Sequence, residues 1–297
     1  MKKRLGIVGA AMGYGTRVSE TEQGPDAAYR SSLLRNIANL GYEASWDDTI
    51  TVGHFPGIQP GTIEAMPLIQ DFDMRLGRAV SDVLARENFP ILIGGDHSIA
   101  VGTWSGVTHT LGMEGNFGLI WLDAHMDSHT PLTTPSNCIH GMPLASLMGH
   151  GDEALTKLIS PHPKLNPQHV VLIGTRSFEE GEQKLLERLN VRIMYQDEVL
   201  ERGFQACFDE ALKIAQHNTK GFGVSLDLDM FDPRLVPGVG VPEPDGVHPQ
   251  DAIQTLRGLI NNPHLKAFEV VEYNPHLDRD DLTLQALQDV IDSVLHV

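Results

Sequence analysis

Two short stretches of the chain gather carboxylates and imidazoles at a spacing of two. They are Asp123-Ala124-His125-Met126-Asp127 and Asp227-Leu228-Asp229. In extended chain, residues at i, i+2 and i+4 share one face, so each set would project together. A third stretch, Gly94-Gly95-Asp96-His97-Ser98, offers His97 just past a glycine pair. Bringing these groups together packs four carboxylates into one crevice. Like charges a few Å apart repel strongly, and divalent cations remove that cost. Two cations bridged by carboxylates, roughly 3.5–4 Å apart, would activate a shared water as a hydroxide nucleophile. The donors are mostly oxygen with some imidazole and no thiolate, which suits Mn²⁺ better than structural zinc. A lone Asp-x-Asp reads as a turn or cap. Asp-x-His-x-Asp is sharper, and all three stretches in one chain argue for a metal centre. The candidate ligands are His97, Asp123, His125, Asp127, Asp227 and Asp229.

Each stretch follows a short apolar run that reads as a buried strand: Ile91–Ile93, Phe117–Leu122 and Val224–Leu226. A fourth run, Phe268–Val271, ends in Glu272-Tyr273-Asn274-Pro275. Further strands are expected at Leu5–Val8, Val170–Ile173 and Val191–Tyr195. Helical periodicity starts at Asp26 and carries Tyr29, Leu33, Leu34, Ile37 and Leu40. More helices are expected over Ile69–Arg86, near Leu185, over Phe204–Gln216 and over Pro249–Leu259. A last helix, capped by Asp280-Asp281, shows the stripe Leu284, Leu287, Val290, Ile291, Val294 and Leu295. Alternating strands and helices with no composition break argue one α/β domain over 1–297. Its central sheet should be mostly parallel, with helices on both faces. In such folds, ligands bind outside the carboxyl ends of the strands, where these polar groups fall.

The composition narrows the function classes. The chain has 297 residues, 41% hydrophobic, with no apolar run near the length of a membrane span. Its formal net charge of -17 disfavours nucleic acid and anionic membranes as partners. Two cysteines, Cys138 and Cys207, exclude a disulfide framework and suit a reducing compartment. Met1-Lys2-Lys3-Arg4 mimics a signal peptide, but the apolar stretch after it is too short and Gly-rich. A cytoplasmic location is expected.

With these motifs in place, the chain resembles the arginase (ureohydrolase) family over nearly its whole length. The likeness extends to Gln23-Gly24-Pro25, His140-Gly141-Met142-Pro143, Gly174-Thr175-Arg176-Ser177 and Glu272-Tyr273-Asn274-Pro275. The resemblance implies a three-layer αβα fold with a sheet of about eight strands and a binuclear manganese site. It implies hydrolysis of a small guanidino substrate to urea and an amine, with L-arginine to L-ornithine first. By analogy, a homo-oligomer, trimer or hexamer, is expected. Among catalytic residues, Asp127 would also accept a hydrogen bond from the nucleophile. His140 matches a mobile proton-shuttling histidine, and Glu272 matches the carboxylate that pairs with the guanidinium. These roles make chemical sense: a carboxylate suits a planar fork of donors, and a histidine suits proton delivery to a leaving amine.

The substrate end departs from the family pattern. His129 and Cys138 stand where arginases carry Asn, and Val241 where they carry Thr. Ser136 matches a carboxylate-binding serine. Glu179, followed by Glu182, takes the place of an Asp that meets the substrate ammonium. His129, Ser136, Glu179 and Glu182 are therefore the candidate substrate-binding residues. A changed polar contact can redirect specificity, so agmatine, a guanidino acid or an N-hydroxylated arginine are alternatives, with a catalytically silent metal-binding homologue ranked after them.

Overall fold

Strands covered by helices on both faces must be apolar at nearly every position. The runs at Ile91, Leu119, Val170 and Val224 meet that demand and are buried throughout. The computed structural model describes residues 2–53 and 55–296. Eight strands form one sheet: β1 (Leu5–Ala11), β2 (Ala44–Thr51), β3 (Phe89–Gly94), β4 (Gly118–Leu122), β5 (Val170–Thr175), β6 (Arg192–Tyr195), β7 (Phe222–Asp227) and β8 (Leu265–Val271). Between and after them lie α1 (Gly24–Arg30), α2 (Leu33–Asn39), α3 (Met66–Ala85), α4 (Ala100–Thr110), α5 (Pro143–Leu147), α6 (Glu153–Thr156), α7 (Glu180–Arg188), α8 (Gln196–Arg202), α9 (Phe204–Ala215), α10 (Pro249–Leu256) and α11 (Leu282–Leu295). No helix among the described residues is long and apolar enough to cross a membrane.

The strand order is β2-β1-β3-β8-β7-β4-β5-β6, and every neighbouring pair is parallel. Alternate side chains feed separate cores on the two faces. Ile91, Ile93, Ile120, Leu122 and Leu226 pack with residues of α2, α9, α10 and α11. Leu92, Leu119, Trp121 and Leu172 pack with residues of α3, α4 and α7. The result is three layers, helix on sheet on helix. The order places the four motif-bearing strands side by side: β3, β8, β7 and β4. All four end at the same edge, so their following residues converge at the middle of the sheet.

Some elements differ from expectation. The helical period from Asp26 to Leu40 is two helices, α1 and α2. Ser31 breaks it, donating from Oγ to Ala28 O at 2.6 Å and accepting from Leu33 N at 3.2 Å. Strand β2 escapes the apolar pattern because it is an edge strand with Asp47-Asp48 inside it. Helix α4 carries Gly102, Thr103 and Gly106, all poor helix formers, yet its residues 100–108 are buried, and packing overrides propensity. Gly106 permits this: a Cβ there would lie 2.6 Å from Gly77 O of α3.

The start of α11 is also a correction. Asp281 sits at the cap position with φ 56° and makes no side-chain cap bond. Asp278 does that work, accepting from Thr283 N at 2.9 Å and Leu284 N at 3.0 Å. Asp278→Ala should therefore destabilise the protein by about 1 kcal/mol in denaturant unfolding, and Asp281→Ala by much less. The reverse ranking would show the cap to be wrongly assigned.

Candidate functional site

The sheet register brings the first carboxylates together. Leu122 of β4 pairs with Leu226 of β7, so Asp123 and Asp227 leave the sheet side by side. Convergence beyond that point comes from turns rather than from a shared strand face. Asp123 Oδ1 accepts from His125 N at 2.7 Å, and Asp227 Oδ1 accepts from Asp229 N at 2.8 Å. Each aspartate thus folds the chain back so that the residue two places on faces the same space. Asp127 and Glu272 are both held in the left-handed region, at φ 46° and 66°. That conformation is unfavourable for residues other than glycine and typical of functional positions. His97 opens a short 3₁₀ turn beyond Gly95. A Cβ on Gly95 would lie 1.9 Å from Met12 O, so only glycine lets β3 leave the sheet beside β1.

Five of the six expected metal ligands form two adjoining donor sets that share Asp123: His97-Asp123-Asp227 and Asp123-His125-Asp229. Within each set the donor atoms lie within 4.8 Å of one another. Asp127 joins the first, with Oδ2 3.0 Å from His97 Nδ1. Asp123 and Asp227 approach the same nitrogen at 3.2 and 3.1 Å. None of these contacts has hydrogen-bond geometry, so Nδ1 is a fully buried polar atom without a hydrogen-bond partner among the described residues. A ring nitrogen ringed by carboxylate oxygens is what a divalent cation requires, and the donor set fits one. His125 Nδ1 similarly faces Asp229 Oδ2 at 3.0 Å and Asp123 Oδ1 at 3.5 Å.

The electrostatics agree. Burial, then the charges of Asp229 and Asp123, hold Asp227 well above the usual carboxylate range. Burial pushes Asp229 up to about 6, against the opposing pull of His125. Asp123 goes the other way: burial would raise it, but the close imidazoles of His125 and His97 hold it below its ordinary value. Buried carboxylates this close compete for protons when no cation is present, as expected for a site built around cations.

Neighbours hold the donors in place. Trp121 Nε1 donates to Asp123 Oδ2 at 2.8 Å, and its indole stacks on the His97 ring with centroids 4.0 Å apart. His97 Nε2 meets Ser225 Oγ at 2.9 Å, and that hydroxyl donates to Glu269 Oε1 at 2.7 Å. Glu272 Oε1 accepts from His97 N at 2.9 Å and lies 3.1 Å from His140 Nδ1. Burial alone would lower the His140 pKa. Contacts with Cys138 and Glu272, and the charge of Asp127, hold it well above its ordinary value instead.

A cavity of about 340 Å³ opens over these groups, and Asp127, His129, Ser136, Glu179 and Glu182 line it with His125 and His140. The four expected substrate-binding residues are therefore in one place. Two of them are engaged with each other: His129 Nε2 lies 2.9 Å from Glu179 Oε2 and 3.6 Å from Glu182 Oε1. Glu182 is buried and accepts from Glu179 N at 3.0 Å and Ser128 N at 3.1 Å, closing the start of α7. Burial pushes its carboxyl up to about 8. This trio also has the spacing of a cation site, but both Glu182 oxygens already serve main-chain donors. Arg17 and Glu243, which no motif in the sequence marks, lie in the same wall. Arg17 Nη2 donates to Ser136 O at 2.9 Å. Nothing in its local sequence points to a pocket 119 residues away.

Fold and site together define a metal-dependent hydrolase of the type that cleaves linear amidines. The chain belongs to the arginase family, whose profile matches residues 3–296. It is 34% identical to the arginase of Brevibacillus brevis over 296 residues, covering 99% of this chain and 98% of that one. It is 32% identical to the arginase of Bacillus subtilis over 295 residues, covering 99% and 98%. Among solved structures, the arginase of Bacillus caldovelox superposes with a TM-score of 0.92 at 34% identity, covering 99% and 98% of the two chains.

Proposed function

We propose that this protein hydrolyses L-arginine to L-ornithine and urea. The observation that carries this reading is the pair of donor sets sharing Asp123, beneath a cavity into which His140 and Asp127 face. Full-length similarity to arginases supports arginine as the first substrate to test. His97, Asp123, Asp127 and Asp227 would hold one cation, and Asp123, His125 and Asp229 the other. Two divalent cations, manganese by the chemistry of the donors, would supply the Lewis acidity that brings the pKa of water toward neutrality.

The chain's own groups do the rest. Glu272 Oε1 is taken by His97 N and His140, whereas Oε2 has no hydrogen-bond partner among the described residues. That oxygen is the natural acceptor for guanidinium N–H groups and would aim the guanidinium carbon. Gly240 leaves room for it, since a Cβ there would lie 3.1 Å from Oε2. Asp127 would accept a hydrogen bond from the attacking water and orient its lone pair. His140, at the cavity wall, would deliver a proton to the departing amine. Ser136, His129 and Glu179 would meet the amino-acid head group. One sheet running through the chain supports a single domain over 1–297. Two free cysteines support a reducing, cytoplasmic setting, and family analogy supports a homo-oligomer.

The His129–Glu179 contact favours a second reading, a different guanidine such as agmatine. An amino-acid head group needs both residues, and here each occupies the other. Urea release from L-arginine and agmatine, with Mn²⁺ restored, separates the two. The arginine reading expects kcat/KM for arginine to exceed that for agmatine by roughly a hundredfold, because agmatine leaves head-group partners unpaired. Equal or better turnover of agmatine would transfer the proposal to that substrate.

A further inference from the structure

His97 and His125 differ in what holds their outer nitrogen. For His97 it is a fully buried chain, Ser225 and then Glu269. Among the described residues, His125 has no such chain. Its Nδ1 is turned to Asp229 and Asp123; with a cation between them Nδ1 would be the ligand and carry no proton, so Nε2 would carry it and need an acceptor on the far side. The group it faces is Glu243 Oε1, 3.7 Å away.

Glu243 is built into that position. Ser177 Oγ donates to the same oxygen at 3.0 Å. The Glu243 and Pro244 carbonyls accept from Arg176 Nη2 and Nε, each at 2.8 Å. Arg176 Nη2 also donates to Asp229 O at 2.8 Å. One guanidinium thus fixes the loop that carries Glu243 against the turn that carries Asp229. A distance of 3.7 Å is an ionic contact; about 1 Å of movement at the end of the glutamate would close it to a hydrogen bond.

We propose that Glu243 is a positioning residue of the metal centre, receiving the Nε2–H of His125 and so aiming Nδ1 at the cation shared with Asp123 and Asp229. The inference rests on the reading of His125 as a ligand. A ligating imidazole generally donates its other N–H to a carboxylate, which fixes tautomer and ring orientation and raises basicity. Losing that partner lowers metal affinity by about 10–100-fold.

The test is chelator-competition titration of Mn²⁺ into the metal-free, full-length protein, independent of activity. Wild type, His125→Asn, Glu243→Val and Glu243→Gln are compared, with the melting temperature of each metal-free form. Glu243→Val should weaken one of the two ions about 10–100-fold and leave the other unchanged. Its metal-free melting temperature should match wild type. Glu243→Gln, whose amide oxygen still accepts, should recover most of the affinity. If His125→Asn weakens an ion and Glu243→Val does not, the inference is wrong and the metal reading stands. Wild-type affinity in His125→Asn would overturn the ligand reading and the inference with it. If the valine variant is unstable, Ser177→Ala decides. Freeing the carboxylate should weaken the same ion, and an unchanged ion would contradict the proposal.

Discussion

Asp123→Asn should abolish measurable urea production and leave the protein unable to hold its cations tightly. Asp123 is the one residue common to both donor sets, and it is fully buried. An amide keeps the shape but removes a charge and one acceptor. Trp121 Nε1 and His125 N, which donate to Oδ2 and Oδ1 at 2.8 and 2.7 Å, would then compete for a single oxygen. Because His125 N sets the turn that aims the His125 ring, both sets should suffer from one change. A loss in kcat/KM of about a thousandfold or more, roughly 4 kcal/mol of barrier, is expected. Metal content after dialysis should fall for both ions. Asp229→Asn touches only one set and should spare the other ion. If Asp123→Asn kept both ions, the shared-carboxylate geometry would be wrong.

The second large effect is kinetic and should leave the metals alone. His140→Asn should lower kcat by about a hundredfold, the size of a lost general acid, while both ions remain bound. His140 lies on the loop between β4 and α5, in the cavity wall, and touches Glu272 rather than the donor sets. On the proposed reading, its loss would remove the proton source for the departing amine. It also frees Glu272 Oε1, which keeps its bond from His97 N, so KM should change less than kcat. Steady-state kinetics with parallel metal analysis decides. A fall in metal content matching the fall in turnover would make His140 structural; an unchanged kcat would remove it from proton transfer.

Much of this site is legible before any coordinates, because its chemistry depends on residue type. Acids and imidazoles repeated at a spacing of two after apolar runs mark Asp123, His125, Asp127, Asp227 and Asp229. The reason for their convergence is only half legible. The strand ends follow from hydrophobic pattern, but the convergence itself depends on Asp123 and Asp227 bonding the main chain two residues on. Left-handed backbone at Asp127 and Glu272 leaves no trace, since neither is a glycine or asparagine. In the fold, β2 and α4 were hidden for opposite reasons. One is a half-exposed edge strand with charges, the other a buried helix rich in residues that disfavour helix.

What stays illegible is pairing between distant segments. His129 and Glu179 look like two arms for a head group, one for each charge, yet they meet each other across 50 residues. Glu243 sits beyond Asp229 in a loop of prolines and acids that reads as surface. It joins the site only because Arg176 draws that loop back. Both features depend on tertiary contacts that local pattern does not encode.

The proposed centre would hold two cations that share Asp123 as a ligand. Anomalous diffraction at the manganese edge, from crystals grown with Mn²⁺, tests it most directly. Two peaks per chain are expected: one among His97, Asp123, Asp127 and Asp227, the other among Asp123, His125 and Asp229. A single peak, or two that do not share Asp123, would contradict it.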